Sequence, residues 1–272
     1  MTRSLAAVSA LMDFEESNPA FSRLPTLHEL FATLLDEARQ CGASVIDITY
    51  DAKTNLVRMH DDGSMAAGPR TLSLLRDTLA AGPVDYACTR SDLHRFLAIL
   101  SCSRRLTVET AAHSITLSAA PELRIERIKP RHSSPAHRGA TLTFELIQPL
   151  PVSTKGLRDE LEKLAKGFPL DICFNGESIS RPFSVGTREF KPFTHGLFLV
   201  DDVNLPHSHE VFLNGLPIEK AGNRDTYLPN GFIVHLHPEI FQASAPAKNV
   251  LTGGELTLSF LRHELHLVTG VY

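Results

Sequence analysis

Residues 25–63 restrict the fold more than any other part of the chain. Pro25 keeps the backbone ahead of it extended, and Thr26 with Glu29 forms a T-x-x-E capping box, so a helix begins here. Leu27, Leu30, Phe31, Leu34, Leu35 and Ala38 then recur at the spacing of one apolar helical stripe, and Gly42 ends it. SVIDITY (44–50) and LVRMH (56–60) alternate in polarity around a polar turn, which predicts a hairpin whose second strand runs into Asp61-Asp62-Gly63. A one-sided helix followed directly by a one-sided hairpin can bury both apolar surfaces by laying the helix on the sheet.

The same logic extends along the chain. Residues 71–81 and 91–101 read as helices separated by Gly82-Pro83, and RRLTVET, HSITLSA, LRIERIK and GATLTFELI (139–147) read as strands. GLRDELEKLAKGF (156–168) is an amphipathic helix, and LDICFNGESIS (170–180) is a hairpin around Asn175-Gly176. Beyond Arg181-Pro182 come short strands in HGLFLVDD, HEVFLNG and NGFIVHLH, then a helix-like stretch at 253–268. These elements predict an α+β fold: a two-layer sandwich over 24–186, a smaller α/β module over 187–272 with the boundary near 183–193, and a leader over 1–23.

At 272 residues, 43% hydrophobic and 21% charged, the chain can fill one large core or two ordinary ones. A formal charge of -4 gives no global electrostatic reason to bind nucleic acid or a membrane surface. Apolar runs are short and interrupted, so no bilayer span is expected. Cys41, Cys88, Cys102 and Cys173 are scattered without a C-x-x-C pair, which predicts reduced thiols and a cytoplasmic location. The histidine pairs His207/His209, His235/His237 and His263/His266 lack a third ligand at diagnostic spacing, and no zinc site is expected. The basic residues between Arg124 and Arg138 read as a solvated hairpin.

The face of the first helix opposite its apolar stripe carries Glu29, Thr33, Asp36 and Gln40, spaced by three and four residues. With the carboxylate of Asp61 at a strand end nearby, such a face has the groups needed to read an adenine amino group and to orient water near a phosphate.

The run LHELFATLLDEARQCGASVIDITYDAKTNLVRMHDDGSM resembles the first two motifs of the GHKL ATPases: gyrase, the ninety-kilodalton heat-shock chaperones, histidine kinases and MutL. In that family a helix of pattern E-x-x-x-N-x-x-D precedes a hairpin ending in D-x-G-x-G. The resemblance implies that Glu29 is the general base, that Thr33 stands at the magnesium ligand with Asp36 three residues on, and that Asp61 and Gly63 are the adenine-reading Asp and the first glycine of its turn. Gly139-Ala140-Thr141 resembles the G-x-T motif, whose Thr, here Thr141, supports that Asp. HEVFLNGLPIEK and PNGFIVHLHPEIFQASAPAKNVL are similar to the start of the transducer domain of bacterial chaperone-like members, which implies that Lys248 reaches the γ-phosphate. ATP and Mg²⁺ are the implied ligands, and a homodimer or a client protein the implied partner.

Three positions depart from the pattern. Thr33 replaces an Asn, Ser64-Met65 replaces the second glycine of the turn, and Ser91-Asp92-Leu93-His94 replaces a phosphate-cradling G-x-x-G. A second reading therefore stands beside the first: a degenerate pseudo-ATPase that keeps the fold as a protein-interaction scaffold. A third is an unrelated α+β binding module.

Overall fold

The computed structural model describes residues 25–64, 71, 73–75, 77, 91–118, 124–130, 139–201, 209–218 and 231–241. Contacts divide the chain into two units: unit 1 takes residues up to Arg158 together with Leu170–Ser178, and unit 2 takes Asp159–Pro169 with Ile179 onward. The division thus lies earlier than the boundary near 183–193, within a helix, and returns the hairpin at 170–178 to unit 1.

Unit 1 opens with α1 (Leu27–Gln40), capped as its sequence requires: Glu29 N–H donates to the Thr26 hydroxyl, and Thr26 N–H donates to the Glu29 carboxylate. Strands β1 (Val45–Asp51) and β2 (Leu56–Asp61) follow as the hairpin, and Thr71, Ser73–Leu75 and Asp77 are helical. Then come α2 (Ser91–Cys102), β3 (Ser103–Glu109), β4 (His113–Ser118), β5 (Arg124–Pro130) and β6 (Ala140–Leu146). Helix α3 (Thr154–Ala165) precedes the hairpin of β7 (Asp171–Phe174) and β8 (Glu177–Ser178). All eight strands form one sheet in the order β5-β4-β3-β6-β2-β1-β7-β8. Every pairing in it is antiparallel except β1 with β7.

Register explains where the core lies. Ile48 pairs with Met59, Met59 with Leu142, and Leu142 with Val108, so these side chains share one face. Leu106 and Phe144 add to the same buried surface. Helix α1 buries Leu30, Phe31, Leu34, Leu35 and Ala38, and α2, which packs against α1, is buried from Arg95 to Ser101. The opposite face of the central strands carries Asp47, Thr49, Arg58 and His60, none of them buried.

Unit 2 holds a five-stranded sheet in the order β12-β11-β13-β10-β9, built from β9 (Lys191–Phe193), β10 (Gly196–Val200), β11 (Glu210–Leu213), β12 (Leu216–Pro217) and β13 (Phe232–Leu236). Phe198, Leu213, Phe232, Val234, Leu236 and Phe241 cluster together, and Phe183, Phe212 and Ile233 form a second cluster. His235 belongs to this packing: its ring stacks on Phe212 at 5.0 Å, its Nε2 lies 2.8 Å from the Phe183 carbonyl, and burial lowers its pKa. That is a neutral structural histidine. Residues 253–268 and the histidines at 207, 263 and 266 lie outside the described residues.

Candidate functional site

Asp61 is the charged residue that the apolar face of the sheet has to accommodate. Alternation along β2 points Val57, Met59 and Asp61 to the helical side, and Asp61 is 1% exposed. A carboxylate there is stable only if its oxygens are satisfied within the protein. Both are. Gly63 N–H donates to Oδ1 at 3.1 Å, and Arg95 Nη1 donates to Oδ2 at 3.4 Å. Arg95 sits in α2 and is itself 1% exposed. Burial pushes the Asp61 pKa above its ordinary value, and the Arg95 guanidinium works against that rise. Arg95 Nη2 also lies 4.0 Å from Cys41 Sγ, and burial pushes the Cys41 thiol up while Arg95 again opposes it.

The strand end is fastened on every side. Asp62 accepts from the backbone N–H of Ser44 at 2.6 Å and of Val45 at 3.1 Å, and from the Ser44 hydroxyl. These bonds, led by the Ser44 hydroxyl, bring the Asp62 carboxyl down to about 2. Ser64 N–H donates to the Cys41 carbonyl at 2.8 Å. Gly139 has φ +94°, and a Cβ there would lie 1.9 Å from the Asp61 carbonyl oxygen. Gly139 is therefore glycine because β6 begins against the backbone of Asp61.

The depressed Asp62 pKa makes a pH prediction. Its contribution to stability is present above the unfolded carboxyl pKa of about 4 and is lost as pH falls through the folded value of about 2. Acid titration followed by circular dichroism should show wild type losing stability across this window, and Asp62→Asn losing less over the same window.

The residues singled out from sequence fall in different places. Glu29 lies on α1 and its Oε2 accepts the Thr26 N–H at 2.8 Å, so it closes its own helix end. Asp36 accepts from Arg39 at 2.8 Å and from Gln40 at 2.7 Å, both on the same helix. Thr33 is 1% exposed, and its hydroxyl oxygen has no hydrogen-bond partner. Gly63 is tight against the Cys41 carbonyl, which a Cβ would meet at 2.9 Å. Thr141 is placed away from Asp61: β2 and β6 pair Asp61 with Ala140 and His60 with Thr141, and Thr141 Oγ1 lies 3.1 Å from His60 Nδ1. Alternation puts that pair on the other face of the sheet from Asp61. The residue beside Asp61 is Ala140, whose methyl can donate nothing. Lys248 lies outside the described residues.

Two residues that sequence reasoning missed now define the site. The alternation of ATLTFEL already put Ala140 with Leu142 and Phe144 on the buried face. Arg95 was signalled more weakly, as a cation set directly before the apolar run Phe96–Leu100.

As arranged, two of the carboxylates that the family resemblance implies for nucleotide binding already have partners within the chain. The carboxylate that would read the amino group is held by Arg95, and the Asp36 charge is neutralised by Arg39. Among the described residues no three His, Cys, Asp or Glu side chains gather as a metal site.

The chain has a mixed α+β fold of helices with a largely antiparallel sheet, and that fold is like the one of a known ATPase region. The chain is similar to the ATPase region of Saccharomyces cerevisiae topoisomerase II, with a TM-score of 0.51 at 10% identity over 83% of this chain and 76% of that one. It is equally similar to the same region bound to dexrazoxane, with a TM-score of 0.53 at 10% identity over 83% of this chain and 77% of the other. At such identity the likeness is one of fold. No family model and no curated protein matches the chain. No helix among the described residues is long and apolar enough to cross a membrane.

Proposed function

We propose that this chain is a GHKL-fold scaffold that works without bound nucleotide, acting through its surfaces on a protein partner, either a client or a second copy of itself. One observation carries the reading: the carboxylate available to read adenine is buried and paired with Arg95 of the same chain. A nucleotide would have to displace a fully buried guanidinium before it could be recognised, and the desolvated charge left behind makes that exchange unfavourable. Ala140 beside Asp61 and the capping role of Glu29 support the same reading.

A second reading keeps adenine nucleotide and Mg²⁺, with weak hydrolysis and a chaperone-like, nucleotide-dependent rearrangement. The unpartnered hydroxyl of Thr33, at the position that the family resemblance gives to the magnesium ligand, favours it. Calorimetric titration of the full chain with ATP, with and without Mg²⁺, separates the two. The scaffold reading expects no heat and no thermal shift at millimolar ATP. Saturable binding of ATP by the unaltered chain removes that reading, because a ligand taken up by the folded state must raise its stability.

A further inference from the structure

We infer that the polar face of the eight-stranded sheet is a self-association surface, on which a second copy of this chain packs with its β1 over β5 and its β5 over β1. The inference rests on the scaffold reading and names one of its two partners.

Register fixes which side chains share that face, because directly paired residues point to the same side. One row crosses the sheet from β5 to β1 as Arg127, Thr116, Thr107, Thr143, Arg58 and Thr49. The next row begins at Lys129 on β5 and ends at Asp47 on β1. Side-chain contacts agree with the register: Thr107 Oγ1 lies 3.4 Å from Thr116 Oγ1, and Arg105 on β3 reaches Glu126 on β5 at 2.9 Å.

Charge on this face is divided by strand. Strand β5 presents the exposed Arg127 and Lys129, with the Glu126 charge already met by Arg105, and β1 presents the exposed Asp47 and Asp51. Astride the centre, Arg105 on β3 pairs across the strands with Glu145 on β6. A two-fold axis parallel to the strands and passing between β3 and β6 lays this pattern on its own complement. Basic β5 then meets acidic β1 at both ends of the contact, and β3 with Arg105 meets β6 with Glu145. Strand β2 with Arg58 comes over β4, whose Ser114, Thr116 and Ser118 on this face are uncharged. Twisted sheets pack at about 30°, which slides facing residues along the strands without changing which strands meet.

The size of the face sets the strength. Six strands about 4.8 Å apart and about seven residues long make a face of roughly 500 Å² per copy. Stable interfaces bury about 800 Å² per partner, so this dimer is weak, populated at high concentration and sensitive to salt.

Sedimentation velocity of the full chain, from roughly 10 to 500 μM, tests this range of weak association. At about 50 mM salt the wild-type coefficient should rise with concentration, and at about 500 mM the rise should disappear. One variant carries Arg127→Glu with Lys129→Glu, and the other carries Asp47→Lys with Asp51→Lys. Each alone places like charges at both ends and should associate at least about tenfold more weakly than wild type. An equimolar mixture of the two should associate again, since each contact then joins an acid strand to a basic one. Asp51 also accepts from Lys53 N–H at 2.9 Å and from the Thr54 hydroxyl; should its substitution disturb folding, Asp47→Lys alone takes its place in the mixture. A monomeric wild type at low salt, association of either variant as strong as wild type, or a mixture that stays monomeric overturns the inference and leaves a client protein as the partner of the scaffold. ATP binding by wild type would instead remove the scaffold reading, whatever the variants do.

Discussion

Arg95→Met should cost about 3–5 kcal/mol of stability at pH 8, the usual penalty for removing one partner of a buried ion pair. Methionine keeps much of the arginine's length without its charge, so the loss reports the stranded Asp61 carboxylate more than a cavity. The pH dependence follows from the direction of the Asp61 shift. Burial already raises its pKa in the folded protein, and Arg95 is the main opposing influence. Without Arg95 the folded pKa rises further above the unfolded value. A carboxyl with a raised folded pKa contributes stability that is complete below its unfolded pKa and lost as pH rises through the folded one. The deficit relative to wild type should therefore be largest at pH 8 and shrink as pH falls toward the unfolded carboxyl value of about 4. Urea unfolding at a series of pH values measures it, and a deficit independent of pH would show that Asp61 is not the stranded group. Asp61→Leu combined with Arg95→Met should recover most of the loss, because an apolar pair of similar volume removes both charges at once.

Gly139→Ala should be the second large effect, costing about 2–4 kcal/mol through strain and overlap together. At φ +94° an alanine is strained, and its Cβ would lie 1.9 Å from the Asp61 carbonyl oxygen and 2.7 Å from the Asp62 Cα. Backbone cannot rotate out of the way as a side chain can, so the start of β6 or the end of β2 must move. Gly42→Ala is the control. Gly42 has φ +72°, but nothing lies within 4 Å of the added Cβ, so it reports conformational strain alone, about 1 kcal/mol. Equal losses at the two glycines in denaturant unfolding would mean that the contact between β6 and the Asp61 backbone is not a constraint.

Both predictions turn on the end of β2, where the fold and the candidate site differ in how legible they were. Helix α1 is written locally: its capping box joins residues three apart, and its apolar stripe returns every three or four residues. The hairpin of β1 and β2 follows the period-two alternation expected of it, and β3, β4, β5 and β6 form where strands were expected, although Ile115–Leu117 of β4 are buried in a row and residues 126–129 of β5 are all exposed. The basic run is legible only in part: Arg124–Pro130 forms β5, while 131–138 lie outside the described residues. The helix expected over 156–168 begins two residues earlier and ends at Ala165. The division of the chain was harder to read, because α3 contributes residues to both units.

The site was less legible because motif spacing is counted along the chain, whereas recognition happens across strands. Thr141 looked like the companion of Asp61 when the G-x-T pattern was counted from Gly139. The register pairs Asp61 with Ala140 instead, and a one-residue difference in a strand reverses the face of the sheet. The capping box at Glu29 is legible in the sequence, and its carboxylate accepts the Thr26 N–H. The general-base role that the family resemblance implies for Glu29 is a separate expectation that this bond does not test.

Local pattern by itself determined the elements of this protein and which side of each is apolar, since capping, turn chemistry and the two periodicities depend on residues a few positions apart. Tertiary structure alone decided that Asp61 meets Arg95, 34 residues further along the chain, because that pairing depends on which helix settles over the end of β2. A buried carboxylate needs a counter-charge, and only the packed fold determines which side chain supplies it.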